Sequence, residues 1–302
     1  MSFDPNSEKL GIPGVAELER GQGDLPRLAV NTDACKAHMY LHGAHVTHWQ
    51  PNGRRPVLWV SRKSWFEDGK PIRGGVPVCF PWFGSSDHMP GAPPHGLARL
   101  MRWSLQSVER QGEEVRVAMS LRSNDRTRKW WPKEFEIRHL VTFGDRLAMR
   151  LEVRNRGADP FVFSEALHSY FFVEDVRQAS VRGLEGLEYL DTAGGQATMR
   201  REPDEPLKVV EETDRLYCGT QATCVIESPS MGRRIVIDKS GSNSTVVWNP
   251  WVEKSKAMPD FGDNEWPQML CIETANAGQD LVTLEPGATH VVEAAIRLEA
   301  YV

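Results

Sequence analysis

Four segments of this chain interrupt an alternating apolar pattern with glycine, proline, aromatic and ionisable residues. In Gln268–Asn276 (QMLCIETAN), Glu273 ends an apolar run suited to burial, and a buried carboxylate is costly unless it is paired or put to use. In Ala166–Asp175 (ALHSYFFVED), His168 stands beside Tyr170, Phe171 and Phe172. A histidine in such surroundings is either a satisfied core group or an acid–base catalyst, since its ordinary pKa of about 6.5 lets modest surroundings favour either form. In Ile72–Gly84 (IRGGVPVCFPWFG), two glycines follow Arg73 and let backbone approach a ligand, while the guanidinium fork suits a phosphate. In His95–Trp103 (HGLARLMRW), His95 and Arg99 sit in a glycine-containing bend and could complete a cationic clamp with Arg73. A solvated loop arginine and a histidine bonded to backbone are the structural alternatives.

Two other runs invite a metal. His38, His42, His45 and His48 would share a face on a helix, but LHGAHVTHWQP contains Gly43 and Thr47 and reads as strands around a turn, which scatters the rings. Asp260, Asp263 and Glu265 lie in the tryptophan-rich Val246–Trp266 run, without the order of acids, glycine and closing glutamate that a calcium loop needs. That run is read as a sugar-facing aromatic wall or a packed loop. Cys35, Cys79, Cys218, Cys224 and Cys271 form no C-x-x-C pair and are read as free, mostly buried thiols. No metal site is expected. Phosphate-loop, nucleophile-elbow and dinucleotide fingerprints are all missing from the sequence.

The elements that must position these groups are strands. Val115, Val117, Met119 and Leu121 alternate with polar residues, as do Leu147, Met149, Leu151 and Val153, and Ile235 and Ile237 share a side. Phe135–Phe143, Phe161–Ala166, Gln221–Glu227, Thr245–Trp248, Met269–Thr274 and His290–Leu298 also read as strands. Turn signals such as Gly144-Asp145 and Pro286-Gly287 separate them. Glu8–Leu10 and Val15–Arg20 are read as short helical pieces, and Arg200–Pro206 as a loop. The expected fold is all-β: one large antiparallel β-sandwich over residues 1–302. The 10 Trp, 11 Phe and 40% hydrophobic content suffice for its core. A net charge of -5 gives no support for nucleic-acid binding, so any phosphate site must be a local cluster. The N-terminus has no signal-peptide pattern and no run is long enough to span a bilayer, so a cytoplasmic protein without membrane contact is expected. A monomer is the default expectation.

Taken together, IRGGVPVCFPWFG, HGLARLMRW, ALHSYFFVED, TDRLY and VVWNPWVEKSKAMPDFGDNEWPQMLCIETAN resemble the hexose-6-phosphate mutarotases of the aldose 1-epimerase superfamily, in order and over most of the chain. The resemblance implies a β-supersandwich of the galactose mutarotase kind. It implies His168 as general acid, Glu273 as general base, Arg73 and Arg99 as phosphate ligands, Asp214 as a substrate contact and His95 as a residue facing the site. Pro94 departs from the pattern: some relatives carry glutamine there, and proline offers no side-chain donor, which bears on sugar contacts and epimer preference. The implied reaction is acid–base opening and reclosure of a hexose 6-phosphate ring, needing neither metal nor organic cofactor. A mutarotase of free aldoses and a non-catalytic carbohydrate-binding protein are the alternatives. Substrate comparison separates the first, and a rate measurement the second. Glycoside hydrolysis normally uses two carboxylates and fits a His–carboxylate pair poorly.

Overall fold

A computed structural model describes residue 7 and residues 9–85 and 89–301. Period-two alternation dominates it. Leu147, Met149, Leu151 and Val153 are buried, while Arg150 reaches across the opposite face to Glu293. Two eight-stranded antiparallel sheets form the frame. One runs, in spatial order, Ser180–Arg182, Cys224–Ser228, Arg233–Ser240, Thr289–Ala300, Leu147–Asn155, Phe135–Phe143, Glu114–Arg122 and Ser104–Gln111. The other runs Thr198–Arg201, Glu188–Asp191, Thr213–Tyr217, Ser244–Asn249, Met269–Asn276, Glu165–Leu167 and Val78–Cys79, with Tyr170–Phe172 also pairing to Met269–Asn276. A four-stranded sheet covers Ala16–Arg20, Pro26–Asn31, Cys35–Tyr40 and His45–Pro51. One apolar cluster takes Leu151 and Ile237 from the first sheet, Val247 and Ile272 from the second, and Leu28 and Trp49 from the four-stranded sheet. Every residue of Met269–Asn276 is buried, as expected of a central strand.

The strand expectations hold for most segments, and four readings are corrected. Val15–Arg20 is not helical: Ala16–Arg20 is a strand paired to Pro26–Asn31, fastened by Arg27 on Glu19 across the pair at 2.6 Å. Cross-strand pairing outweighs weak local propensity there. Of Glu8–Leu10, Glu8 lies outside the described residues, and Lys9 and Leu10 form a turn. Phe161–Ala166 is two strands. Phe161–Phe163 pairs with Val282–Leu284, and Glu165–Leu167 joins the large sheet. Arg200 and Arg201 end a strand rather than begin a loop. The tryptophan-rich run holds a seven-residue helix, Trp251–Ala257, started by the Asn249 side chain accepting from the Trp251 N–H at 2.8 Å. None of the described helices is long and apolar enough to cross a membrane.

Candidate active site

Register decides which side chains share a face. Directly paired residues project to the same side, and so do positions two apart. Tyr170 pairs with Cys271, Cys271 with Trp248, and Trp248 with Asp214. Glu273 is two positions from Cys271 and therefore joins that row. His168 follows Glu165–Leu167, where the chain steps between two pairings with the same central strand.

The residues 105 positions apart meet: His168 Nδ1 lies 3.4 Å from Glu273 Oε1. They form the floor of the site, 5% and 1% exposed, and His168 Nδ1 and Glu273 Oε2 have no described hydrogen-bond partner. Burial drives the His168 pKa well below its ordinary value, and His95, Arg99 and Arg73 push the same way. Burial drives Glu273 well above its ordinary value, with Asp214 adding to the rise and Arg99 opposing it. Both trends favour a neutral imidazole beside a protonated carboxyl. The Tyr170 ring lies parallel to the imidazole, with 4.7 Å between centroids and 6° between planes. Trp248 meets both rings edge-on.

Arg73 is already gripped. Its Nε donates to Asp260 Oδ2 at 3.1 Å, its Nη2 to Asp260 Oδ1 at 3.2 Å, and its Nη1 to the Tyr170 hydroxyl at 3.1 Å. The glycines after it let the chain pass close to neighbouring backbone: a Cβ on Gly74, at φ 113°, would lie 2.4 Å from the Trp59 carbonyl oxygen. Arg99, 6% exposed, is different. Its Nη2 donates to the Pro94 carbonyl oxygen at 2.6 Å, and none of its described partners is a carboxylate. Burial lowers its pKa and Arg73 adds to the effect. Pro94 therefore contributes a backbone acceptor where a side-chain donor is missing.

His95 and Asp214 lie on the rim. His95 takes a left-handed backbone conformation, φ 60°, rare for a residue with a side chain. Its Nδ1 accepts from the Gly84 N–H at 3.3 Å, which leaves Nε2 to carry the proton, and its ring meets His168 at 5.4 Å. Asp214, its side chain 29% exposed, faces Lys254 Nζ at 3.6 Å. Burial raises its pKa and Lys254 works against the rise.

All six residues singled out from sequence thus converge. Sequence reasoning missed two more: Asp260, weighed there only as a calcium ligand, and Tyr170, read there only as an aromatic neighbour. Asp260, inside the tryptophan-rich run, is buried, which only the fold reveals. Asp263 and Glu265 turn elsewhere, to Lys63 and to Ser61 and Arg62. The four histidines scatter only in part, since two of them share a face. His38 and His48 pair with each other across strands, His42 bonds the Lys70 carbonyl oxygen, and His45 bonds the Gly74 carbonyl oxygen at 2.6 Å. His168, Cys271 and Glu273 place one donor atom each within 4.8 Å of the others, the one grouping of metal-ligand types among the described residues. Burial pushes the Cys271 thiol well up, which keeps it protonated and a poor ligand. The five cysteines are free.

Comparison with known proteins covers the same stretch of chain. The family model for aldose 1-epimerase matches residues 26–297. A protein of Cenchrus ciliaris named "putative glucose-6-phosphate 1-epimerase" is 35% identical over 282 residues, covering 90% of this chain and 84% of its own. A protein of Escherichia coli K12 with the same name is 33% identical, covering 89% and 90%. The crystal structure of a "putative mutarotase" from Salmonella typhimurium superposes with a TM-score of 0.89 at 30% identity, over 96% of this chain and 95% of that one.

Proposed function

The chain belongs to the aldose 1-epimerase family, and we propose that it interconverts the α and β anomers of a hexose 6-phosphate, glucose 6-phosphate being the first choice. The observation that carries this reading is the His168–Glu273 pair, 3.4 Å apart at the floor of a site that also holds Arg99 and Arg73. The names carried by the relatives from Cenchrus ciliaris and Escherichia coli support the phosphorylated substrate.

In this reading Glu273, as carboxylate, takes the proton from the anomeric hydroxyl. The bond between C1 and the ring oxygen breaks, its electron pair stays on that oxygen, and His168, as imidazolium, protonates it. The product is the open-chain aldehyde beside a carboxylic acid and a neutral imidazole. Rotation about C1–C2 presents the other carbonyl face. Reclosure then runs both transfers backwards and restores the starting charges. Each positioned group contributes roughly 10²- to 10⁴-fold.

The charged and neutral forms of the pair hold the same number of protons and differ only in where one proton sits. Burial favours the neutral form, which is the form that faces the open-chain sugar. A phosphate on Arg99 and Arg73 offsets two of the cations that hold His168 unprotonated, so the substrate's own charge favours the imidazolium that begins the reaction. Arg99, with no carboxylate partner among the described residues, supplies positive charge, whereas Asp260 neutralises Arg73 and fixes its direction. Asp214 and His95 contact sugar hydroxyls from the rim. The floor groups are nearly closed off, so admission of a pyranose needs neighbouring side chains to move apart. The chemistry requires no metal or organic cofactor. Action as a single-domain monomer in the cytoplasm goes with this reading, and the apolar cluster reaching from Ala16 to Ile296 supports the single domain.

Anomer exchange followed by magnetisation-transfer NMR tests the proposal directly. Accelerated exchange of glucose 6-phosphate, well above that of glucose or galactose, is the expected result. Equal rates would point to free aldoses, and binding without acceleration would exclude catalysis.

A further inference from the structure

We propose that Tyr170 is a positioning residue that holds the His168 imidazole in its reactive plane and links it to the Arg73 end of the site. The proposal builds on the acid role given to His168 above.

One side chain touches both functions. The Tyr170 ring lies face to face with the imidazole, and its hydroxyl accepts from Arg73 Nη1 at 3.1 Å. The ring cannot drift. Trp59 stacks on it and Trp248 abuts it edge-on, while the Tyr170 N–H donates to the Gly75 carbonyl oxygen at 2.8 Å and the Tyr170 carbonyl accepts from the Trp59 N–H at 3.0 Å. Gly75 is two residues from Arg73, so main chain and side chain tie the same two segments. A ring needed only as filling would be apolar, since burying a hydroxyl costs free energy unless it is bonded. Here that bond goes to the arginine expected to meet the phosphate.

The face-to-face arrangement has an electrostatic consequence. A cation over an aromatic face is stabilised, and a neutral imidazole gains less. Tyr170 therefore favours the imidazolium, the form that donates to the ring oxygen. It works against burial and against the groups that oppose protonation of His168: His95 from its bend, and the cations Arg99 from the following turn and Arg73 from the glycine pair. Glu273 and Cys271 face His168 from the central strand, and Glu273, when ionised, acts in the same direction as Tyr170.

The test compares Tyr170→Phe with Tyr170→Leu in the full chain, using two readouts. One is the ¹⁵N-detected titration of the His168 ring in the free protein. The other is kcat and KM for glucose 6-phosphate and for glucose. Tyr170→Phe keeps the face and loses the hydroxyl: KM for glucose 6-phosphate rises about 3- to 10-fold, the effect of one typical net hydrogen bond, with kcat and the His168 titration near native. Tyr170→Leu loses the face: kcat falls about tenfold on both sugars and the His168 midpoint moves to lower pH. Equal losses of kcat in the two variants would assign the effect to the hydroxyl and overturn the role of the ring plane. An unchanged KM in Tyr170→Phe overturns the link to Arg73. Tyr170→Met replaces the leucine variant if that one does not fold, and the phenylalanine arm stands by itself. If the native protein accelerates exchange of neither sugar, the proposed activity fails, while the His168 titration still decides the role of Tyr170.

Discussion

His168, just past the strand Glu165–Leu167, and Glu273, within the neighbouring strand of the same sheet, approach to 3.4 Å, with no described hydrogen bond to His168 Nδ1 or Glu273 Oε2. No group among the described residues hydrogen-bonds to those atoms, as suits groups that must trade protons with a substrate. Replacing Glu273 by Gln or His168 by Asn keeps the shape and removes the transfer. Either change should lower kcat by about 10²- to 10⁴-fold while calorimetric binding of glucose 6-phosphate stays within about tenfold. The double variant should lose little more than the worse single one, because the two act as a unit. Turnover near native in either single variant would remove these residues from the chemistry.

The arginines should separate in their effects. Arg99 has no carboxylate partner among the described residues, so Arg99→Met should raise KM for glucose 6-phosphate about 10- to 100-fold, as for loss of charge-assisted hydrogen bonds, and leave glucose nearly unaffected. Arg73→Met also strands the buried Asp260 carboxylate, and losing one partner of a buried pair costs about 3–5 kcal/mol. Its melting temperature should drop clearly, and Arg73→Met with Asp260→Asn should recover part of it. Thermal denaturation of the native protein and these two variants reads this out. Equal stability of all three would mean that the pair is not desolvated in solution.

The sheet was legible in the sequence because period-two burial is a local signal. Leu147 to Val153 announce their face without knowledge of any partner. Ala16–Arg20 was not, since its strand identity comes from pairing with Pro26–Asn31 rather than from its own alternation. The same distinction runs through the site. His168, Glu273 and Arg73 stand out as polar residues in segments otherwise built to be buried or to turn. Asp260 and Tyr170 acquire meaning only through contacts with Arg73, 187 and 97 residues away in the chain. Spacing along the chain carries no trace of such pairings.

The pH dependence of activity follows from the floor pair holding one proton. Burial pushes His168 well below its ordinary pKa and Glu273 well above, which widens the pH range of the one-proton state. With glucose as substrate, kcat/KM should show no step at the ordinary histidine value of about 6.5. With glucose 6-phosphate, a limb near about pH 6 should come from the second ionisation of the phosphate itself. A step near 6.5 with the unphosphorylated sugar would mean that His168 titrates independently, as a solvated imidazole would.

Stability should respond to pH through histidines that the chemistry does not use. His45 and His139 are fully buried and bonded to the carbonyl oxygens of Gly74 and Ala44, and burial pushes them down to about 3 and about 4. The folded chain therefore binds fewer protons than the unfolded chain between those values and about 6.5. Their contribution is complete above about pH 6.5 and is lost as pH falls, by about 2 kcal/mol for each at pH 5. Glu273 and Asp214, with raised values, work in the opposite direction and offset part of the loss. Urea denaturation should show a net fall in stability from pH 7 to pH 5. His45→Gln, which has no proton to gain, should lower the baseline yet flatten that dependence by about 2 kcal/mol. If the full slope persists in His45→Gln, the imidazole is accessible to protons in the folded chain.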